Sequence, residues 1–102
     1  MTLVEFFSNP SKWTQEVYAR DDEGRPVDLT TDKAVCWCTL GGIYRVYGYD
    51  NTIARRIEDK IRRVIAKREG RSNAGWVSIS EWQDRSNQTY EEVMSVLKEA
   101  DV

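Results

Sequence analysis

Lys33-Ala34-Val35-Cys36-Trp37-Cys38-Thr39-Leu40-Gly41-Gly42-Ile43-Tyr44-Arg45-Val46-Tyr47 is the stretch on which the fold turns, because only Lys33 and Arg45 in it carry charge. A helix apolar around its whole circumference belongs in the middle of a domain, so residues 33–47 predict a buried central helix. Thr31 or Asp32 can cap its start, and Gly48 can end it in the left-handed conformation. Gly41-Gly42 in its middle costs roughly 1 kcal/mol of helix propensity per glycine. That cost is understandable where another backbone comes close, and the expected neighbour is a β-hairpin.

The hairpin is read from residues 12–29. Trp13, Gln15, Val17 and Ala19 alternate with Thr14, Glu16, Tyr18 and Arg20, and Val27 and Leu29 follow the turn-prone Asp21-Asp22-Glu23-Gly24. A two-stranded ribbon is marginal in water by itself, so it must lie on a helix. Upstream, residues 2–7 read as a short helix stopped by Ser8-Asn9-Pro10, since proline disfavours the helical region for the residue before it.

Downstream, Asp50-Asn51-Thr52 offers a cap. Ile53, Ile57, Ile61, Val64 and Ile65 then mark one stripe of a long amphipathic helix that ends at Gly70. Residues 71–76 read as a loop. Ser78-Ile79-Ser80-Glu81 fits a capping box for a short helix carrying Trp82. Thr89-Tyr90-Glu91-Glu92 fits another for a final helix with Val93, Val96, Leu97 and Ala100 on one side. The expected architecture is mainly helical α+β: a single globular domain over residues 1–102, with a small β-hairpin packed on a buried central helix, a long amphipathic helix and a C-terminal helix.

Composition narrows the chemistry. The chain has 102 residues and no histidine, which excludes a Ser-His-Asp triad, a Cys-His dyad and every zinc site that uses imidazole. Cys36 and Cys38, two apart on the expected helix, would point about 200° away from each other and could share neither a metal nor a disulfide. They read as small core hydrophobes. Gly41-Gly42 has neither the spacing nor the lysine of a phosphate-binding loop, and Asp21-Asp22-Glu23 lacks the alternating ligands of a calcium loop. The sequence therefore calls for no metal and no cofactor. No apolar run is long enough to span a bilayer, and Met1-Thr2-Leu3-Val4-Glu5 lacks the basic and apolar regions of a signal peptide. Together with the sparse cysteines this predicts a cytoplasmic protein with no membrane contact.

Charge is unevenly distributed. Between Asp50 and Arg71 eight basic residues face four acidic ones, a net of +4, which leaves −6 on the rest of a chain whose formal total is −2. Arg55, Arg56, Lys60, Arg62, Arg63 and Lys67 form a candidate basic surface. Glu58 with Arg62 and Asp59 with Arg63 stand at the i,i+4 spacing of helix-stabilising pairs, the plainer account of the same charges.

Two further stretches belong together. The first runs from Trp13-x-Gln15 through Ala19-Arg20-Asp21 and Gly24-Arg25-Pro26-Val27 to Ala34-Val35-Cys36-Trp37-Cys38-x-x-Gly41. The second is Trp82-Gln83-Asp84 with Thr89-x-x-Glu92-Val93. The chain thereby resembles a family of small bacterial and bacteriophage proteins known only as a domain of unknown function. It departs from that family's pattern at Gly42, where Ala is usual, and at Gln83, where Asn is usual. The resemblance implies a bacterial or phage setting and brings no activity with it. Trp13, Gln15, Arg20, Trp37, Cys38, Trp82 and Asp84 form a candidate pocket where the hairpin meets the buried helix, or else a Trp-rich core whose indoles find acceptors in Gln15 and Asp84.

Three functions follow as expectations. The leading one is a non-enzymatic accessory factor that binds another protein. The second is a nucleic-acid-binding regulator using the basic helix 53–68. The third is a histidine-free enzyme with a Cys38 or Asp84 site assisted by Arg20.

Overall fold

Outside the stretch quoted first, helix ends marked by capping side chains are where the sequence and the computed structural model, which describes residues 1–102, agree most closely. Thr2 and Glu5 form a reciprocal capping box around helix α1 (Leu3–Phe6). Asn51 accepts from the Ala54 N–H to start α3 (Thr52–Glu69), and Gly70 closes it in the left-handed conformation. Ser78 caps α4 (Ile79–Gln83), and Thr89 caps α5 (Tyr90–Ala100). Residues 71–76 contain a 3₁₀ turn, Ala74–Trp76.

The stretch quoted first divides into two elements. Cys36–Trp37 is strand β2, paired antiparallel with β1 (Ala19–Arg20) in the register Ala19 with Trp37 and Arg20 with Cys36. Helix α2 begins only at Thr39 and runs to Tyr47, with Cys38 as its cap. A continuous apolar run looks alike whether it is a buried strand or a buried helix. Here the tie is broken by long-range hydrogen bonds: the amides of Val35 and Cys38 donate to the carbonyls of Arg20 and Tyr18, and the Trp37 carbonyl accepts from Thr14 N–H.

The expected hairpin within residues 12–29 is corrected accordingly. Residues 15–18 form a bend in which Glu16 has φ +76°, and the returning arm is reduced to a bridge between Arg20 and Pro26. The close approach expected at Gly41 is present. A Cβ there would lie 2.1 Å from the Tyr18 carbonyl oxygen, and one at Gly42 would lie 2.4 Å from the Phe7 ring.

The mainly helical α+β class stands, with five helices and one two-stranded sheet. Helix α2 lies against α1, α3 and α4, and α5 packs on α3 and α1. Leu3, Phe7, Ile43, Ile61, Ile65, Val93, Val96 and Leu97 are buried in one continuous apolar cluster with Trp37 and Trp82. Ile53 is the exception to the expected stripe, at 56% exposed. Eight residues at 100° each place it about 80° round the helix from Ile61, at the edge of the packed face. No helix is long and apolar enough to cross a membrane.

Candidate functional site

Trp13, Gln15 and Asp84 come together around Gln83, a residue that the sequence marks as a departure from the family pattern and leaves out of the candidate pocket. Its side chain is wholly buried at the end of α4. The amide oxygen accepts from Trp13 Nε1 at 2.6 Å, from Thr39 N at 2.9 Å and from Thr39 Oγ1 at 2.6 Å. The amide nitrogen donates to the Thr14 carbonyl and to Asp84 Oδ1, each at 2.9 Å. Gln15 reaches the same place from outside, donating to the carbonyls of Gln83 and Arg85. Asp84 Oδ1 also accepts from the Glu16 N–H, which holds the positive φ of that residue. One amide thus ties together the segment before β1, the start of α2 and the end of α4.

The other candidates sit around this knot or apart from it. Arg20 donates to Thr14 Oγ1 and to the carbonyls of Gly24 and Gln15, bracing the bend. Trp37 lies elsewhere, packed on Phe6 at 4.9 Å, with its indole donating to the Leu29 carbonyl. Trp82 is in the apolar core. The indoles of Trp13 and Trp37 therefore find their acceptors in Gln83 and Leu29, in place of the expected Gln15 and Asp84.

Cys36 and Cys38 are both free, Cys36 on a strand and Cys38 just beyond it, which replaces the helical geometry expected for them. Cys38 Sγ accepts from the Gly41 N–H at 3.3 Å, and burial pushes its thiol above the ordinary cysteine range, so neutral pH leaves it protonated. With Asp84 it lines a cleft of about 270 Å³ shared with Glu16, Val17, Tyr18, Leu40 and Ser80. Every buried side-chain nitrogen and oxygen in the protein has a hydrogen-bond partner. The polar cluster thus fastens three segments of the chain to one another. No three His, Cys, Asp or Glu side chains stand where they could hold a metal ion.

The basic helix presents a different picture. Arg55 pairs with Asp50, and Arg62 pairs with both Glu58 and Asp59. Arg68 reaches across to Glu92 and Glu99 on α5, and Lys67 stands 3.7 Å from Glu99. The expected Asp59–Arg63 pair is replaced by Asp59–Arg62. That exchange leaves Arg56, Lys60 and Arg63 exposed and outside every ion pair. Their spacing of four and three residues, extended by four to Lys67, keeps all four within about 60° of one another around the helix axis. Selecting these from the other basic residues of α3 needed the pairing pattern, which the sequence spacing gave correctly for Glu58 with Arg62 and wrongly for Asp59 with Arg63.

Fold and surface together define a small, mainly helical α+β protein with an internally satisfied polar knot and one open cationic helix face. The chain belongs to DUF6197, a family of unknown function, whose model matches residues 9–101. No curated protein and no solved structure matches the chain.

Proposed function

We propose that this protein is a small non-enzymatic binding module that contacts another protein through the exposed face of α3, with an acidic segment of that protein as the bound feature. The observation that carries this reading is the row Arg56, Lys60 and Arg63, three exposed cations in line that make no ion pair within their own chain. Unpaired like charges repel one another and contribute nothing to folding, whereas a row of carboxylates brought against them gains from each. An acidic protein segment is favoured over nucleic acid because the attractive face is one short row of three cations on a chain that otherwise carries −6, enough to meet a short acidic segment and too little to track a long phosphate backbone. We place the contact in the bacterial or phage-infected cytoplasm, a setting supported by the two free cysteines and by the motif resemblance.

The test is a titration of labelled acidic peptide, a Glu/Leu sequence, against the protein at low and at physiological salt. Replacing Arg56, Lys60 and Arg63 together with Glu is expected to weaken binding at least about tenfold, and added salt to weaken the wild type in the same direction. Undiminished binding by the triple variant overturns the proposal. So does a DNA or RNA oligonucleotide of equal charge that outcompetes the peptide.

A further inference from the structure

The cationic row leads to the most exposed large apolar side chain of the protein, Trp76, at 83%. Gly70 stands seven residues beyond Arg63, two turns further along the same side of the helix and about 10 Å down its axis. It lines a surface depression of about 440 Å³ together with Arg71, Ser72, Asn73 and Trp76. Gly70 thus carries the line of the row to the rim of the depression that Trp76 also lines.

Trp76 is held outward by a fixed turn. Asn73 Oδ1 accepts from the Gly75 N–H, and the Asn73 carbonyl accepts from the Trp76 N–H. The next residue, Val77, is buried, and its carbonyl accepts from Arg62 Nε at 3.3 Å, which pins the turn to α3. A large apolar side chain presented on an ordered turn loses little conformational freedom on binding. Tryptophan and arginine are also the residues most enriched among those that dominate protein interfaces.

From this we infer that Trp76 is the apolar anchor of the α3 interface, and that its partner is an acidic protein segment carrying a large apolar side chain beside its carboxylates. This rests on the protein-binding reading of the same helix and adds a second, non-electrostatic subsite to it. The carboxylates lie along Arg56, Lys60 and Arg63, and the apolar side chain covers the indole in the depression beside Gly70.

The full chain is tested with two peptides of equal charge, one of Glu and Leu and one of Glu and Ser, following the emission of Trp76 as the difference between wild type and Trp76→Phe. The Glu/Leu peptide is expected to shift that emission to the blue and to shield it from acrylamide. Trp76→Ala is expected to weaken Glu/Leu binding about tenfold while leaving Glu/Ser binding unchanged. Equal binding of both peptides by wild type and Trp76→Ala, still weakened by salt, overturns the anchor and leaves the cationic row in place. Failure of both peptides to bind the wild type overturns both readings. A single-stranded oligonucleotide that quenches Trp76 more strongly than either peptide binds overturns the class of partner.

Discussion

Five hydrogen bonds meet on the side chain of Gln83. Gln83→Ala is expected to cost about 3 kcal/mol in chemical denaturation, because it strands the fully buried Thr39 amide and hydroxyl and takes the acceptor from the half-buried Trp13 indole. A loss below about 1 kcal/mol would show that water enters and takes over the acceptor role. Gly41 offers a second test at this scale. A methyl there meets backbone, the Tyr18 carbonyl, which cannot rotate aside. Gly41→Ala is accordingly expected to destabilise by about 2 kcal/mol and to disturb the β1–β2 pairing, visible as faster amide exchange at Cys38. The sequence announced the glycine and its purpose. It did not announce the glutamine's role, since a lone Gln after a Trp carries no spacing or period to mark it, and its partners other than Asp84 lie 44 to 70 residues away.

Among the elements, α3 was legible almost to the residue because stripe, cap and closing glycine agree, and α5 was legible from its stripe and its cap. The β2–α2 segment was not, because its strand is two residues long and is specified by what it bonds to across the chain. Charges on α3 divide into those that hold elements together and those that do not. Arg68 bonds Glu92, Glu99 and Ser95, joining α3 to α5 through a partly exposed network. Arg68→Ala is expected to cost about 1 kcal/mol in thermal or denaturant unfolding. Reversing Arg56, Lys60 and Arg63, which join nothing, is expected to change stability by no more than about 0.5 kcal/mol. A larger drop on reversal than on loss of Arg68 would mean that the row is engaged within the fold.

At the scale of the whole molecule, acid stability collects several of these contacts. The Arg85 guanidinium holds Glu69 below the ordinary carboxylate range, Arg68 does the same for Glu99, and the Arg25 amide does so for Asp21. Depressed folded-state values stabilise the protein above the unfolded-state range and are lost as pH falls through the folded values, so unfolding should set in below about pH 4. Glu58 has the opposite sign. Burial raises it against the pull of Arg62, so its effect is to lower stability as pH rises from the ordinary Glu range through the raised value. Glu58→Gln is therefore expected to flatten the fall in melting temperature that sets in as pH rises above the ordinary Glu range, about pH 4.5. An unchanged profile would show that Arg62 fully compensates the burial. The candidate site was legible in part at this scale, since Trp13, Gln15 and Asp84 do converge, while Trp37 and Trp82 serve the core. Finally, the small sheet has a consequence of its own. Trp13 bridges to Trp37 along one margin, and Pro26, which has no N–H to offer, bridges to Arg20 along the other. Both margins are thus blunted against edge-to-edge strand addition, so this protein should resist fibrillar self-association at high concentration, and a partner must approach it by way of side chains.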